Sequence, residues 1–117
     1  MKPSIVQTRA PVLLVGGGET DPDQLAAALA LCPVRVAADS GAGALLAHGV
    51  VPDAVIGDMD SIEARHRARL PAVALHPITE QDSTDFDKAL RNIDAPLVIA
   101  HGFLGARLDH QLAALSV

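Results

Sequence analysis

Pro52-Asp53-Ala54-Val55-Ile56-Gly57-Asp58-Met59-Asp60-Ser61 contains the unit from which the whole chain is built. A short apolar run stops at a glycine, two carboxylates follow one residue apart, and Ser61 stands where a helix cap would be. Open α/β sheets place acids in this way, beyond the carboxyl ends of their strands, where ligands bind. In an extended segment residues i and i+2 share a side, about 6–7 Å apart. Asp58 and Asp60 are therefore expected to reach toward one point. Like charges so placed raise each other's pKa, and a divalent cation or a basic group is their natural partner. The same residues also fit a solvated turn in which each Asp accepts from local backbone N–H groups.

The pattern repeats on both sides of this stretch. Upstream, Pro11-Val12-Leu13-Leu14-Val15 reads as a buried strand that ends at Gly16-Gly17-Gly18. Asp21-Pro22-Asp23-Gln24 then has the form of a helix start: a cap, a proline at the first helical position, and a glutamine three residues after the cap. The helix runs to Leu31 and is ended by Pro33. Val34-Arg35-Val36-Ala37-Ala38 is the second strand, closing at Asp39-Ser40-Gly41, and a helix over 42–48 stops at Gly49.

Downstream, a polar helix is expected over 61–70, with Glu63 near its start and Pro71 at its end. A fourth strand is expected over 72–76. Gln81-Asp82-Ser83-Thr84-Asp85 leads into a helix whose Phe86, Ala89, Leu90 and Ile93 form one apolar stripe. A fifth strand over 96–100 precedes His101-Gly102, and a last helix would put Leu108, Leu112 and Leu115 on one face. Residues 1–10 read as a tail or a lead-in strand. Five strand-then-helix units in succession predict an α/β fold. It is a Rossmann-like, doubly wound, mostly parallel sheet of about five to six strands with helices on both faces. Residues 1–117 make one domain.

Composition agrees with such a sheet. Half the residues are hydrophobic, there is no Trp or Tyr, and the only Phe residues are Phe86 and Phe103. The core must be aliphatic, as suits a parallel sheet covered on both faces. A formal net charge of −5 argues against general nucleic-acid binding, which wants a basic face. It leaves open a nucleotide whose phosphates are held by a metal and backbone N–H groups. Cys32 is the only cysteine, so neither an internal disulfide nor a cysteine-based zinc site is expected. Residues 1–10 do not read as a signal peptide, and no apolar run approaches the ~20 residues that span a bilayer. The expected location is cytoplasmic. The helical pattern over 108–117 carries no C-terminal signal, so the chain is expected to be the first part of something longer.

In a parallel sheet all the loops after the strands emerge on one edge. Asp39, Asp58, Asp60 and Asp85 can therefore converge there without any local motif. Lys88 lies one helical turn beyond Asp85 and off the apolar stripe, where it either faces the same loops or forms an exposed pair with Asp85. Gly16-Gly17-Gly18 either lets phosphates approach the backbone, Gly17 foremost, or is ordinary turn material. Neither the G-x-G-x-x-G spacing nor a G-x-x-x-x-G-K-[ST] loop is present. Phosphates would then have to be held through carboxylate-bound magnesium. Arg107 and Asp109 either bind a ligand or are a surface charge and a first-turn acid. His48, His66, His76, His101 and His110 are weak signals, since no two have metal-ligand helical spacing.

Four segments, taken together and in order, carry a resemblance. They are Ala38-Asp39-Ser40-Gly41-Ala42; Pro52-Asp53 leading to Gly57-Asp58-Met59-Asp60-Ser61; Gln81-Asp82-Ser83-Thr84-Asp85-Phe86-Asp87-Lys88-Ala89-Leu90; and Gly105-Ala106-Arg107-Leu108-Asp109-His110. Their order and spacing resemble the N-terminal catalytic domain of thiamine pyrophosphokinase (thiamine diphosphokinase). That family transfers a pyrophosphoryl group from ATP to the hydroxyl of thiamine, giving thiamine diphosphate and AMP. The resemblance implies Mg²⁺ and phosphate handling by Asp39, Asp58, Asp60 and Asp85, and charge neutralisation by Lys88. It implies seating of the nucleotide by Thr84, Arg107 and Asp109, and contact with thiamine by Gln81. It also implies a homodimer whose C-terminal β-sandwich, not found in this chain, helps to bind thiamine. One departure is Ala106, where the family usually has the second of two glycines before the arginine. Rival readings are a pyrophosphokinase acting on a pterin alcohol, a magnesium-dependent phosphohydrolase, and a non-catalytic nucleotide-binding module.

Overall fold

The computed structural model describes residues 4–79, 84–103 and, as backbone, 112–114. The central sheet is formed by β2 (Val12–Val15), β3 (Val34–Ala38), β4 (Ala54–Gly57), β5 (Leu75–Pro77), β7 (Val98–His101) and β8 (Leu112–Ala114). Its order is β5-β4-β3-β2-β7-β8, parallel throughout except for the antiparallel β7–β8 pair. A two-residue parallel pair, β1 (Val6–Gln7) with β6 (Ile93–Asp94), lies outside it.

Alternation along the strands divides the core in two. Leu13, Val15, Ala37 and Val55 face α1 (Pro22–Leu31) and α2 (Gly41–Ala47), which contribute Leu25, Ala28, Ala42, Leu45 and Leu46. Val12, Leu14, Val36, Ala38 and Ile56 face the opposite way, onto Ala89 of α4 (Asp85–Leu90) with Phe86 and Leu90 beside it. The strand residues Leu13, Leu14, Val15, Val36, Val55 and Ile56 are fully buried. Each such aliphatic side chain contributes about 1.5–3 kcal/mol over leaving it in water. The doubly wound α/β fold expected from the sequence is the fold observed. Among the described residues no helix is long and apolar enough to cross a membrane.

Helix caps follow the sequence where side chains can supply them. Asp21 caps α1 by accepting from the Asp23 and Gln24 N–H groups at 2.9 and 3.0 Å. Gly49, at φ 75°, ends α2 in the left-handed region.

Several local expectations are corrected. The helix expected over 61–70 shrinks to α3 (Ala64–Arg67), which starts after Glu63 rather than Ser61. Only the flanking Ile62 and Leu70 reach the core, and a polar helix without an apolar stripe has little to hold it. Residues Ala72–Ala74 form a 3-10 turn, with Val73 exposed, and the strand starts at Leu75. The helix α4 ends at Leu90. Ile93 still joins the same core, but from β6, where β1 offers a pairing edge.

The final helix is not formed at Leu112. That residue and the two after it pair with the open edge of β7, as Ala100↔Leu112, Ile99↔Ala113 and Val98↔Ala114. Leu108 and Leu115 lie outside the described residues. The apolar positions there fit either element, and the available edge decides between them.

Strand order fixes where a ligand can sit. From β2 the chain moves to one side through β3, β4 and β5, then returns to place β7 on the other side of β2. The switch point therefore lies between the carboxyl ends of β2 and β7, next to those of β3 and β4.

Candidate functional site

Asp39 ends β3 and sits in the left-handed region, at φ 51°, a conformation Asp tolerates better than most residues. Its N–H continues the ladder by donating to the Ile56 carbonyl at 2.9 Å, which draws the ends of β3 and β4 together. Gly57, at φ 151°, accommodates that approach, because a Cβ there would stand 3.1 Å from the Asp39 Cβ. The Asp39 carboxyl is consequently buried, at 2% exposure. Its Oδ1 has no hydrogen-bond partner among the described residues.

Asp58 follows Gly57 and meets Asp39. Burial, the shared hydrogen bond with Asp58 and the charges of Asp58 and Asp85 push the Asp39 carboxyl up to about 7, against a lowering by the Ser61 N–H. Asp58 moves the other way. The Asp60 N–H donates to its Oδ1 at 3.0 Å, and this bond, the Asp39 hydrogen bond and the Lys88 charge hold it below the usual carboxylate range. Two acids in contact whose environments drive their pKa values apart lose their protons in sequence, and Asp39 is the one that keeps its proton to higher pH.

The pairing differs from the one the spacing suggests. Asp58-Met59-Asp60 is a turn rather than an extended segment, with Met59 at φ 72° and its side chain in the core. The i, i+2 rule does not apply to such a backbone, so Asp60 is exposed while Asp58 turns toward Asp39.

The acid end of α4 completes the cluster. Thr84 caps this helix, its hydroxyl accepting from the Asp87 N–H at 3.1 Å. This fixes the first turn, from which the Asp85 charge acts on Asp39. Lys88, one turn on, is 4% exposed, and its charge acts on Asp58. Lys88 is therefore not half of an exposed surface pair. A buried ammonium beside an acid pair is a fixed positive charge aimed at the strand ends.

On the other side of Asp39 stands the glycine turn. The Ser40 side chain lies directly against Gly17, and the Phe103 ring covers Gly16 while meeting Phe86 of α4 edge-to-face at 5.0 Å. Gly17 itself is exposed at the switch point. Gln81, Arg107 and Asp109 lie outside the described residues.

Among the described residues no three His, Cys, Asp or Glu side chains are gathered as a metal-binding group. The Asp39–Asp58 pair nevertheless fits magnesium. That ion is commonly held by one or two carboxylates together with water and phosphate oxygens. The buried Oδ1 of Asp39, without a hydrogen-bond partner among the described residues, is the atom a cation would satisfy.

One contributor carried no strong signal in the sequence. His101, at the end of β7, is 1% exposed, and its Nε2 accepts from the Asp21 N–H at 3.2 Å. The two residues are eighty positions apart, and only the strand order brings them together.

Comparison with known proteins supplies the family. A family model described as thiamin pyrophosphokinase, catalytic domain, matches residues 25–117. Thiamine pyrophosphokinase of Bacillus subtilis (strain 168) is 34% identical over 88 residues, which cover 70% of this chain and 41% of that protein. The solved thiamin pyrophosphokinase from Candida albicans superposes with a TM-score of 0.59 at 23% identity, over 77% of this chain and 35% of that one. A thiamin pyrophosphokinase family protein from Enterococcus faecalis gives 0.59 at 26%, over 86% and 49%. The chain thus spans less than half the length of these relatives.

Proposed function

The chain belongs to the thiamin pyrophosphokinase family, matching its catalytic domain, and from that premise we propose that it carries the nucleotide and metal site of an enzyme acting on thiamine. The reaction is transfer of a pyrophosphoryl group from ATP to the thiamine hydroxyl, giving thiamine diphosphate and AMP. The observation that carries this reading is the Asp39–Asp58 pair at the strand ends with the Lys88 charge buried beside it.

Phosphoryl-type transfer needs positioning and charge neutralisation more than covalent help. Asp39 and Asp58 would hold Mg²⁺, with Asp60 and Asp85 adding negative charge around it. Bound there, the ion would neutralise and align phosphate oxygens. Lys88 supplies a fixed positive charge where negative charge spreads during transfer. Asp39, the acid whose pKa is raised, would give up any proton it holds to a bound cation. Thr84 keeps Asp85 and Lys88 in register by capping their helix. Gly17 receives phosphate at the switch point. By family resemblance Arg107 and Asp109 would seat the nucleotide and Gln81 would serve the thiamine. A homodimeric, cytoplasmic protein whose acceptor pocket is completed by further sequence belongs to the same reading.

The test is incubation with ATP, Mg²⁺ and thiamine, following AMP and thiamine diphosphate. ADP or free phosphate formed without thiamine would refute pyrophosphoryl transfer.

A further inference from the structure

The loop over 16–21 joins β2 to α1 beside the switch point, and the end of β7 helps to hold its conformation. Three hydrogen bonds join them. The Gly16 N–H donates to the His101 carbonyl at 2.8 Å, the Gly18 N–H to the Gly102 carbonyl at 2.6 Å, and the Asp21 N–H to the His101 Nε2 at 3.2 Å. Gly102, at φ 85°, permits this stitching, since a Cβ there would meet the Gly16 carbonyl oxygen at 2.8 Å.

Asp21 is the cap of α1, and its own N–H is the group that a glutamine three residues on would accept from in a capping box. Here the acceptor is a side chain from another strand. The imidazole is buried, and its Nε2 is the atom that accepts from the Asp21 N–H. His101 thus ties both the exposed turn and the start of α1 to the strand bordering the crevice.

We propose that His101 is a positioning residue for nucleotide binding: through the Asp21 N–H it holds the loop over 16–21 in the conformation that receives phosphate. The proposal rests on the reading of that loop as part of the nucleotide site. In this role His101 acts through the backbone it fixes rather than by chemistry of its own.

Two variants of the same chain separate the hydrogen bond from the bulk of the ring. His101→Leu fills the space without an acceptor, and His101→Gln restores one. MgATP affinity is measured by calorimetry, with amide exchange at Gly16, Gly18 and Asp21 compared with Ala28 in the middle of α1. The expected result for His101→Leu is about tenfold weaker binding, the equivalent of about 1.4 kcal/mol, as for one net hydrogen bond. Exchange should rise in the loop and stay unchanged at Ala28. His101→Gln should restore both. Binding of His101→Leu within twofold of wild type, or a His101→Gln variant as defective as His101→Leu, would overturn the proposal alone. A wild-type chain that binds no MgATP would overturn the nucleotide reading, and the proposal with it.

Discussion

Replacing Asp39 with asparagine should stabilise the metal-free protein at alkaline pH, although it removes a buried carboxyl from the centre of the site. Asparagine keeps the shape, tolerates the left-handed backbone at φ 51°, and can donate an N–H to Asp58 as the protonated acid does. The wild-type group has its folded-state pKa raised from 3.8 to about 7. A carboxyl so raised binds its proton more tightly in the folded than in the unfolded chain. Its contribution is therefore lost as pH rises from about 4 through about 7, and the full cost is present above that. A rise of about three units at roughly 1.36 kcal/mol each corresponds to about 4 kcal/mol. The lowered pKa of Asp58 has the opposite sign, but its stabilisation is gained at more acid pH and is complete before this window opens. Urea unfolding in a chelator at pH 5, 6, 7 and 8 should show wild type losing stability across the series while Asp39→Asn stays level. The variant should be more stable at pH 8 by about 2–4 kcal/mol. Parallel pH profiles for the two proteins, or a variant weaker than wild type at pH 8, would refute the raised pKa of Asp39.

Asp58→Asn should abolish metal-dependent turnover and Asp60→Asn should lower it, with the native far-UV circular dichroism retained in both. Full activity in either would remove that acid from the mechanism. Lys88→Met keeps the buried stem and removes the charge; kcat should fall about 10²- to 10³-fold, the usual cost of deleting one electrostatic stabiliser, in a steady-state assay of AMP release. Gly57→Ala should destabilise by about 1–3 kcal/mol in urea titrations, since its backbone lies at φ 151° and the new methyl would press on Asp39. Thr84→Ala removes the cap bond to Asp87 and should cost about 1 kcal/mol, measured the same way.

Much of this was legible in the sequence. Apolar runs that stop at Gly or Asp identify buried parallel strands, and parallel strands deliver their following residues to one edge. Asp39 could thus be grouped with Asp58 and Asp85 across long separations. What the pattern could not give was the local backbone. Whether Asp58-Met59-Asp60 is extended or turned depends on Met59 finding a place in the core, which no spacing rule encodes. The helix expected beyond Asp60 failed because its middle has nothing apolar to bury. Leu112 carries the same side chain whether in a helix or a strand, and the vacant edge of β7 settled it. The role of His101 was invisible, because its partner is a backbone N–H brought near only by the placement of β7 beside β2.

If Asp39 and Asp58 form a coupled acid pair that a divalent cation can occupy, calorimetric titration with Mg²⁺ reads both the site and its proton. At pH 7, in buffers of different ionisation enthalpy, saturable binding should release about half a proton per ion, because a group with pKa about 7 is half protonated there. The release should vanish in Asp39→Asn. Absence of saturable Mg²⁺ binding, or proton release unchanged by Asp39→Asn, would rule out such a pair.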